Sequence, residues 1–263
     1  MTPQRLVDYR QESWLRDQYL DQHKGTTVIA ETQKCNPETI RQWLIRFGIE
    51  RRPCAIINHI DLTDGLMEMF NGSLLGDGSI VPGKRHGSPR YSISNKHCEY
   101  LQYISARLAS RGLEQSGRIV PYTNEWGTYW SYHSRHYPEL RRLREEWYPN
   151  GKKHVPVDLA ISPTVVRTWF IEDGYFGRTR TSFIGRVQFA TNSFERDEVE
   201  LLTAKLKAAI SDERIYINKE SSSGYTIVFS HRETITKFFQ YIGGCPRAIQ
   251  NIYGYKWPDE VTS

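Results

Sequence analysis

Two short apolar runs, each closed by an acidic residue and a glycine, constrain this chain more than any other feature. The first is Phe70-Asn71-Gly72-Ser73-Leu74-Leu75-Gly76-Asp77-Gly78-Ser79. The second is Val166-Arg167-Thr168-Trp169-Phe170-Ile171-Glu172-Asp173-Gly174-Tyr175. Their apolar content suits a buried helix, and Gly78 and Gly174 suit its stop, because glycine tolerates the left-handed conformation past a helix end. A carboxylate just before that stop is badly placed for the helix itself, since the C-terminal end of the dipole repels anions. A misplaced carboxylate that occurs twice implies something positive between the two copies.

Internal repetition explains the pair. Asp173 lies 96 positions after Asp77. The same offset carries Arg90-Tyr91-Ser92-Ile93-Ser94 onto Arg186-Val187-Gln188-Phe189-Ala190. It also carries Arg118 to Tyr122 onto Arg214 to Asn218, and Tyr132-His133-Ser134 onto Val228-Phe229-Ser230. Each half ends in a basic, proline-terminated segment, Gly151-Lys152-Lys153-His154-Val155-Pro156 and Tyr255-Lys256-Trp257-Pro258. Four coincidences with one kind of chemistry point to a duplicated unit.

Both runs resemble the motifs of the LAGLIDADG homing endonucleases, in the single-chain form that carries two of them. The segment Trp147 to Lys153 followed by Trp169 to Gly174 is especially similar to the intron-encoded branch. The resemblance covers roughly residues 60 to 258.

After each motif the period switches from helical to alternating. Strands are predicted at Ser79 to Val81, Arg90 to Ser94, Arg118 to Tyr122 and Tyr129 to His133, then at Tyr175 to Arg178, Arg186 to Thr191, Arg214 to Asn218 and Tyr225 to Phe229. Helices are predicted at His97 to Arg111, Tyr137 to Trp147, Glu195 to Ser211 and Arg232 to Tyr241. Each half reads helix, two strands, helix, two strands, helix, which is the order the resemblance implies. Alternation sends Tyr91, Ile93, Val187 and Phe189 toward the helices. Arg90, Ser92, Ser94, Arg186 and Gln188 face the other way, with Arg118, Tyr122, Ser131, His133, Arg214 and Tyr216 as further candidates for DNA contact. An antiparallel sheet can leave one face open, and a polar ribbon of this kind fits a major groove. The plainer alternative for each of these residues is a wet face.

Ahead of the repeat, three short helical patterns occupy residues 1 to about 53. The first runs from Ser13 to Gln22. The second follows Gly25, and the third has Asn36 as N-cap, Pro37 at its first position and Gly48 as its stop. This region resembles the helix-turn-helix modules of invertases and transposases. Thr39, Arg41, Gln42 and Arg46 stand on the outer face of the third helix, and arginine and glutamine read guanine and adenine edges. Arg51 and Arg52 form a basic linker. The alternative is a small helical cap that only packs on the next domain.

The expected fold is therefore α+β: two pseudo-twofold-related αββαββα units forming a DNA-binding saddle, plus a small all-α helix-turn-helix domain. The expected boundaries are 1–53, 54–156 and 157–263. Lysine and arginine interleaved with tyrosine and tryptophan matter more here than the mild net charge of +5. The four cysteines form no CxxC pair, which speaks against structural zinc or a disulfide framework. No run of eighteen apolar residues and no signal-peptide core is present, so an intracellular protein without a membrane span is expected.

The chemistry follows from the two carboxylates. Packed side by side, the motif helices bring Asp77 and Asp173 together, and two close carboxylates repel unless a cation or proton intervenes. Oxygen ligands favour a hard divalent ion, Mg²⁺ or alternatively Mn²⁺, with Ca²⁺ expected to bind without supporting cleavage. The expected reaction is metal-dependent phosphodiester hydrolysis. Lys153 or Lys152, with Lys256, are candidates to stabilise the transition state. The resemblance adds the backbone carbonyls of Gly76 and Glu172 as metal ligands. It also adds Asn95 and Asn192, at a family position that positions water, and short 3′ overhangs on the products. The expected function is that of a monomeric, site-specific homing endonuclease of a mobile intron acting on double-stranded DNA. The alternatives are an intron RNA maturase and a catalytically inactive DNA-binding regulator.

Overall fold

In the computed structural model, described at residues 8–22, 24–50, 58–83, 87–178, 185–220 and 224–258, the chain divides into two compact units, Met1–Ile56 and Ile57–Ser263. The basic linker residues Arg51 and Arg52 lie outside the described residues.

The smaller unit is built from three short helices. Helix α1 (Glu12–Arg16) runs into one wide turn over Asp17–Asp21, where the Gln22 N–H donates five residues back to the Asp17 carbonyl at 2.8 Å. The expected Ser13 to Gln22 helix is thus present but loosened in its second half. Helices α2 (Thr26–Thr32) and α3 (Pro37–Arg46) follow, joined by a turn that places Lys34 at φ 51°. The start of α3 is set as expected: Pro37 occupies its first turn, and the Asn36 side chain accepts from the Glu38 N–H at 2.8 Å. Its stop is Gly48 at φ 61°. Leu15, Tyr19, Ile29, Ala30, Ile40, Leu44 and Ile49 close the core of this unit.

The larger unit repeats one order twice. Its first half consists of α4 (Asp64–Leu75), β1 (Ser79–Val81), β2 (Arg90–Asn95), α5 (Cys98–Ala109), β3 (Val120–Asn124), β4 (Gly127–His133) and α6 (Leu140–Trp147). Its second half consists of α7 (Pro163–Asp173), β5 (Gly174–Arg178), β6 (Gly185–Ala190), α8 (Arg196–Ile210), β7 (Ile215–Glu220), β8 (Gly224–Phe229) and α9 (Arg232–Ile242). It closes with α10 (Gln250–Tyr253) between two 3₁₀ turns, Arg247–Ile249 and Gly254–Lys256. Both antiparallel sheets share one strand order, β1-β2-β4-β3 and β5-β6-β8-β7. The inward residues of each sheet pack with the helices in one continuous core that includes Ile80, Tyr91, Ile93 and Tyr132 from one half and Val187, Phe189, Ile227 and Phe229 from the other.

Sheet register tests the repeat residue by residue. Ser79 pairs with Ser92 and Tyr175 with Gln188, so the offset of 96 holds across the first two strands of each half. It then slips. Ser94 pairs with Ser131 and its counterpart Ala190 with Thr226, an offset of 95 on the next strand. Val120 pairs with Ser131 and Asn218 with Thr226, an offset of 98 on the outermost strand. The expected matches of Arg118 with Arg214 and His133 with Phe229 therefore fail. Two residues of sequence separate β3 from β4 and three separate β7 from β8, and α8 outruns α5 by about a turn. A slip of one residue exchanges the two faces of a strand, so His133 on the open face corresponds to Val228.

The motif glycines correct a second expectation. Neither Gly78 nor Gly174 has a left-handed φ, and Gly174 is extended at φ −83° and ψ 151°. Space is what they supply. A Cβ on Gly78 would stand 2.4 Å from the Ser73 hydroxyl oxygen, and one on Gly174 would stand 2.1 Å from the Phe170 ring.

Candidate active site

The two motif helices begin alike. Thr63 caps α4 and Ser162 caps α7, each accepting from the N–H three residues on. They meet through the first copy's glycines. A Cβ on Gly72 would lie 2.6 Å from the Val165 carbonyl oxygen and 2.7 Å from Thr168 Cβ, and one on Gly76 would lie 2.6 Å from a Glu172 carboxylate oxygen. Thr168 and Glu172 are the residues 96 positions after Gly72 and Gly76. A residue beside a twofold axis meets its own copy. The pseudo-twofold therefore runs between these helices, and Asp77 and Asp173 emerge at one end of it.

The two motif ends are joined directly, since the Asp77 N–H donates to the carboxylate of Glu172, the residue before Asp173, at 2.8 Å. Burial, then the negative charge of Asp77, pushes the Asp173 carboxyl up to about 7, against the opposing pull of Lys153 and Lys256. Asp77 is open at the surface, yet the protein packed around it also raises its pKa. A hydrogen bond from Asn95 and the charges of Lys256 and Lys153 oppose that rise.

The lysines sit where each motif ends. Lys153 Nζ donates to the carbonyls of Gly76 at 3.1 Å and Gly78 at 2.8 Å. Lys256, almost fully buried, donates to the carbonyls of Ile171 at 2.6 Å and Phe170 at 3.4 Å. Lys256 thus caps the carbonyl end of α7, and Lys153 holds the turn that follows α4. Desolvation lowers both ammonium groups, Lys256 to about 8, while the nearby carboxylates hold them up. Lys152 is turned away, exposed and ion-paired with Glu195. Of the two candidates in that segment, the structure thus brings only Lys153 to the carboxylates.

Asn95 and Asn192 are not equivalent. Asn95 Nδ2 donates to Asp77 Oδ2 at 3.3 Å. Asn192 is exposed, and among the described residues its side chain has no hydrogen-bond partner. By register the counterpart of Asn95 is Thr191, whose hydroxyl donates to the Tyr225 carbonyl at 2.6 Å. Asp173 receives no side-chain hydrogen bond among the described residues. Gly76 keeps its carbonyl at the site, shared with Lys153.

The side chain of Glu172 was not anticipated by its sequence position. It crosses between the helices, where its carboxylate accepts from the Asp77 N–H at 2.8 Å, the Ser73 hydroxyl at 3.0 Å and the Tyr100 hydroxyl at 2.7 Å. Enclosure, then the charge of Asp77, raises its pKa well above the carboxylate range. Tyr253 was missed as well: its hydroxyl donates to Asn95 Oδ1 at 3.0 Å. The one hint was the facing of Gly76 by an acid at the same repeat position; nothing marked Tyr253.

The strand candidates divide. Ser92 pairs with His133 and Ser94 with Ser131 on the open face of the first sheet, their side chains bonded at 2.9 and 3.0 Å, and Arg90 shares that face. Tyr122 stacks on Tyr129 at 6.0 Å on the same face, while Arg118 precedes β3 and is exposed. In the second sheet Arg186, Gln188 and Tyr216 share the open face, with Gln188 donating to Glu220 at 3.1 Å. Arg214 does not join them. It lies just before β7, forked onto Asp212 and paired with Glu233, so its charge is spent within the fold. On α3, Arg41 and Gln42 point outward and bond Glu38, Arg46 lies 4.8 Å over the Trp43 ring, and Thr39 is half-buried.

Among the described residues no group of three or more His, Cys, Asp or Glu side chains is placed to hold a metal by itself, and no helix is long and apolar enough to cross a membrane. The site offers two carboxylates, backbone carbonyls and two ammonium groups in one small region.

The profile of the LAGLIDADG DNA endonuclease family matches residues 67–238, a span that begins inside α4 and ends inside α9. An uncharacterized protein of Methanocaldococcus jannaschii is 25% identical over 198 residues, covering 73% of this chain and 76% of that one. Cytochrome b mRNA maturase bI2 of Debaryomyces hansenii is 27% identical over 179 residues, and the match takes in 62% of this chain and 63% of the maturase. Among solved structures, the homing endonuclease I-WcaI bound to its DNA recognition sequence aligns with a TM-score of 0.60 at 17% identity, over 81% of this chain and 93% of that one. That likeness is one of fold.

Proposed function

Because the chain belongs to the LAGLIDADG DNA endonuclease family, we propose that it is a monomeric, site-specific homing endonuclease that hydrolyses both strands of a DNA duplex. The observation that carries this reading is the convergence of Asp77 and Asp173 at the shared end of α4 and α7, with Lys153 and Lys256 beside them. A duplex has two backbones related by a twofold axis, and a pseudo-twofold protein can address both with matching groups.

The donor chemistry fits a hard divalent cation, most simply Mg²⁺. Burial and mutual charge make the ionised form of Asp173 costly, and a cation offsets that cost. Asp77 and Asp173 would hold the ion, with the carbonyls of Gly76 and Glu172 as further oxygen donors. When bound, it supplies Lewis acidity and charge neutralisation at the scissile phosphate. The rest belongs to the chain's own side chains. Lys153 commits two of its three N–H groups to carbonyls, which fixes its ammonium beside the carboxylates with one donor to spare. Lys256 is buried and bonded to the end of α7, and acts through its charge on the site. Asn95 holds the Asp77 carboxylate in one orientation. The open faces of both sheets, with Arg90, Ser92, His133, Arg186, Gln188 and Tyr216, contact the grooves and flanking phosphates. Residues 1–53 add a helix-turn-helix contact through α3, lengthening the site and raising affinity by linked binding.

Similarity to a maturase favours a second reading, in which the same basic surface binds intron RNA. Cleavage selection on a random duplex library with Mg²⁺ separates the two. Recovery of one long cut site supports the nuclease; no cut DNA, together with selective binding of structured RNA, supports the maturase. Asp77→Asn and Asp173→Asn should each lower double-strand cleavage about a thousandfold or more, as loss of a charge-stabilising group does, and leave DNA affinity nearly unchanged. Undiminished cleavage by either variant would remove the mechanism.

A further inference from the structure

The carboxylates are held unequally, and the inequality traces to the C-terminal segment. Asn95 Oδ1 receives two donors, the His97 backbone N–H at 3.0 Å and the Tyr253 hydroxyl at 3.0 Å. A backbone N–H can only donate, so that atom is the amide oxygen and the NH₂ group faces Asp77. The phenol comes from the second half, while Asn95 and Asp77 belong to the first. Tyr253 is itself fixed: its ring meets His97 and Tyr100 edge-on at 5.5 and 5.3 Å, and Lys256 Nζ lies 5.2 Å from its centroid. It is 5% exposed.

Among the described residues nothing equivalent serves Asp173. Thr191 stands where Asn95 stands in the first half and spends its hydroxyl on Tyr225. Three residues before Lys153, where Tyr253 stands relative to Lys256, is the exposed Asn150.

We propose that Tyr253 is a positioning residue that acts through Asn95 on Asp77, so that one half of the reaction centre is pre-oriented by the other half's C-terminal segment. The two strands of the target then depend on Tyr253 to different degrees. The proposal rests on the nuclease reading above and deepens it.

The test is single-turnover cleavage of a duplex carrying the selected site, each strand labelled separately, with Mg²⁺ present. Tyr253→Phe keeps the ring and removes only the hydroxyl. It should slow cutting of one strand about fivefold, the worth of one hydrogen bond, and slow the other less than twofold. DNA affinity measured in Ca²⁺ should match the wild type, and Tm should fall by no more than about 4 °C, the worth of one buried hydrogen bond. In an Asn95→Ala background, Tyr253→Phe should have no further effect, because two residues acting in series are not additive. A purely structural role would slow both strands alike, and an independent role would give full additivity; either result overturns the proposal, as does an unchanged rate. If the wild-type protein itself cuts no duplex, the nuclease reading falls and takes this inference with it. Cutting by the wild type with an indifferent Tyr253→Phe overturns the inference alone.

Discussion

The first motif helix is small where the second is large. Gly72 of α4 and Gly76, just past its end, face Thr168 and Glu172 of α7, each across from its own repeat counterpart. Two glycine-bearing helices could approach symmetrically; here one copy supplies the space and the other fills it. The filling side chain does more than pack. Glu172 takes three hydrogen bonds from the first half, one of them from the backbone of Asp77 itself. A doubled fold can therefore keep a symmetric outline while its two halves specialise, one as a socket and one as a plug.

The socket is the easiest part to break. Gly72→Ala places a methyl 2.6 Å from the Val165 carbonyl oxygen, which belongs to a helix backbone and cannot turn aside. The helices must separate, and destabilisation of about 3 kcal/mol is expected, the upper part of the range for overpacking. Urea unfolding measures it. Shortening the plug with Thr168→Gly should restore only part of the loss, since the backbone clash remains. Full stability in Gly72→Ala would mean that the helices do not meet as closely as described.

Glu172 separates packing from charge. Glu172→Ala leaves the Tyr100 and Ser73 hydroxyls and the Asp77 N–H without their acceptor and should cost about 2 kcal/mol. Glu172→Gln keeps the shape, and its amide oxygen can still accept from Ser73 and Asp77. Because enclosure and the charge of Asp77 disfavour an ionised carboxylate there, this variant should lie within about 1 kcal/mol of the wild type. Equal losses in both variants would show that the negative charge, and not the shape and acceptors, holds the halves together.

The difference between socket and plug also marks where sequence reasoning stopped. The αββαββα order was legible because each element carries its own period. The pair Asp77 and Asp173 was legible because duplication places them alike. What was hidden depends on partners in the other half. Glu172 is one letter in an apolar run until α4 lies against it, and Tyr253 gains its role only when the C-terminal segment reaches Asn95. Gly78 and Gly174 read as helix stops, but crowding against Ser73 and Phe170 is what requires them. Asn192 lies 97 positions after Asn95, one more than the repeat, and the register gives that place to Thr191. Arg214 reads as a strand residue free for DNA, but it precedes β7, and the fold gives it to Asp212 and Glu233.

The smallest expected effect concerns pH. A carboxyl whose pKa is raised in the folded state stabilises the protein below its unfolded value, near 3.8, and that stability is lost as pH rises through the folded value, about 7 for Asp173. Asp77 shifts in the same direction, but the Asn95 amide holds it down, and among the described residues Asp173 has no such partner. Without divalent cations, the protein should therefore lose stability between about pH 4 and pH 7. Asp173→Asn should flatten that loss more than Asp77→Asn does, because the carboxylate it leaves behind is the one with a hydrogen-bond donor. Melting curves in EDTA from pH 4 to pH 8 would show a difference in Tm of about 2 °C between the variants at the upper end. Above about pH 8 the sign reverses for Lys256. Its lowered pKa lets the folded state shed a proton that the unfolded chain retains to about 10.5, so stability rises across that window. Superimposable pH profiles for the two aspartate variants would mean that the halves are electrostatically equivalent after all, and that the Asn95 contact contributes nothing to holding Asp77.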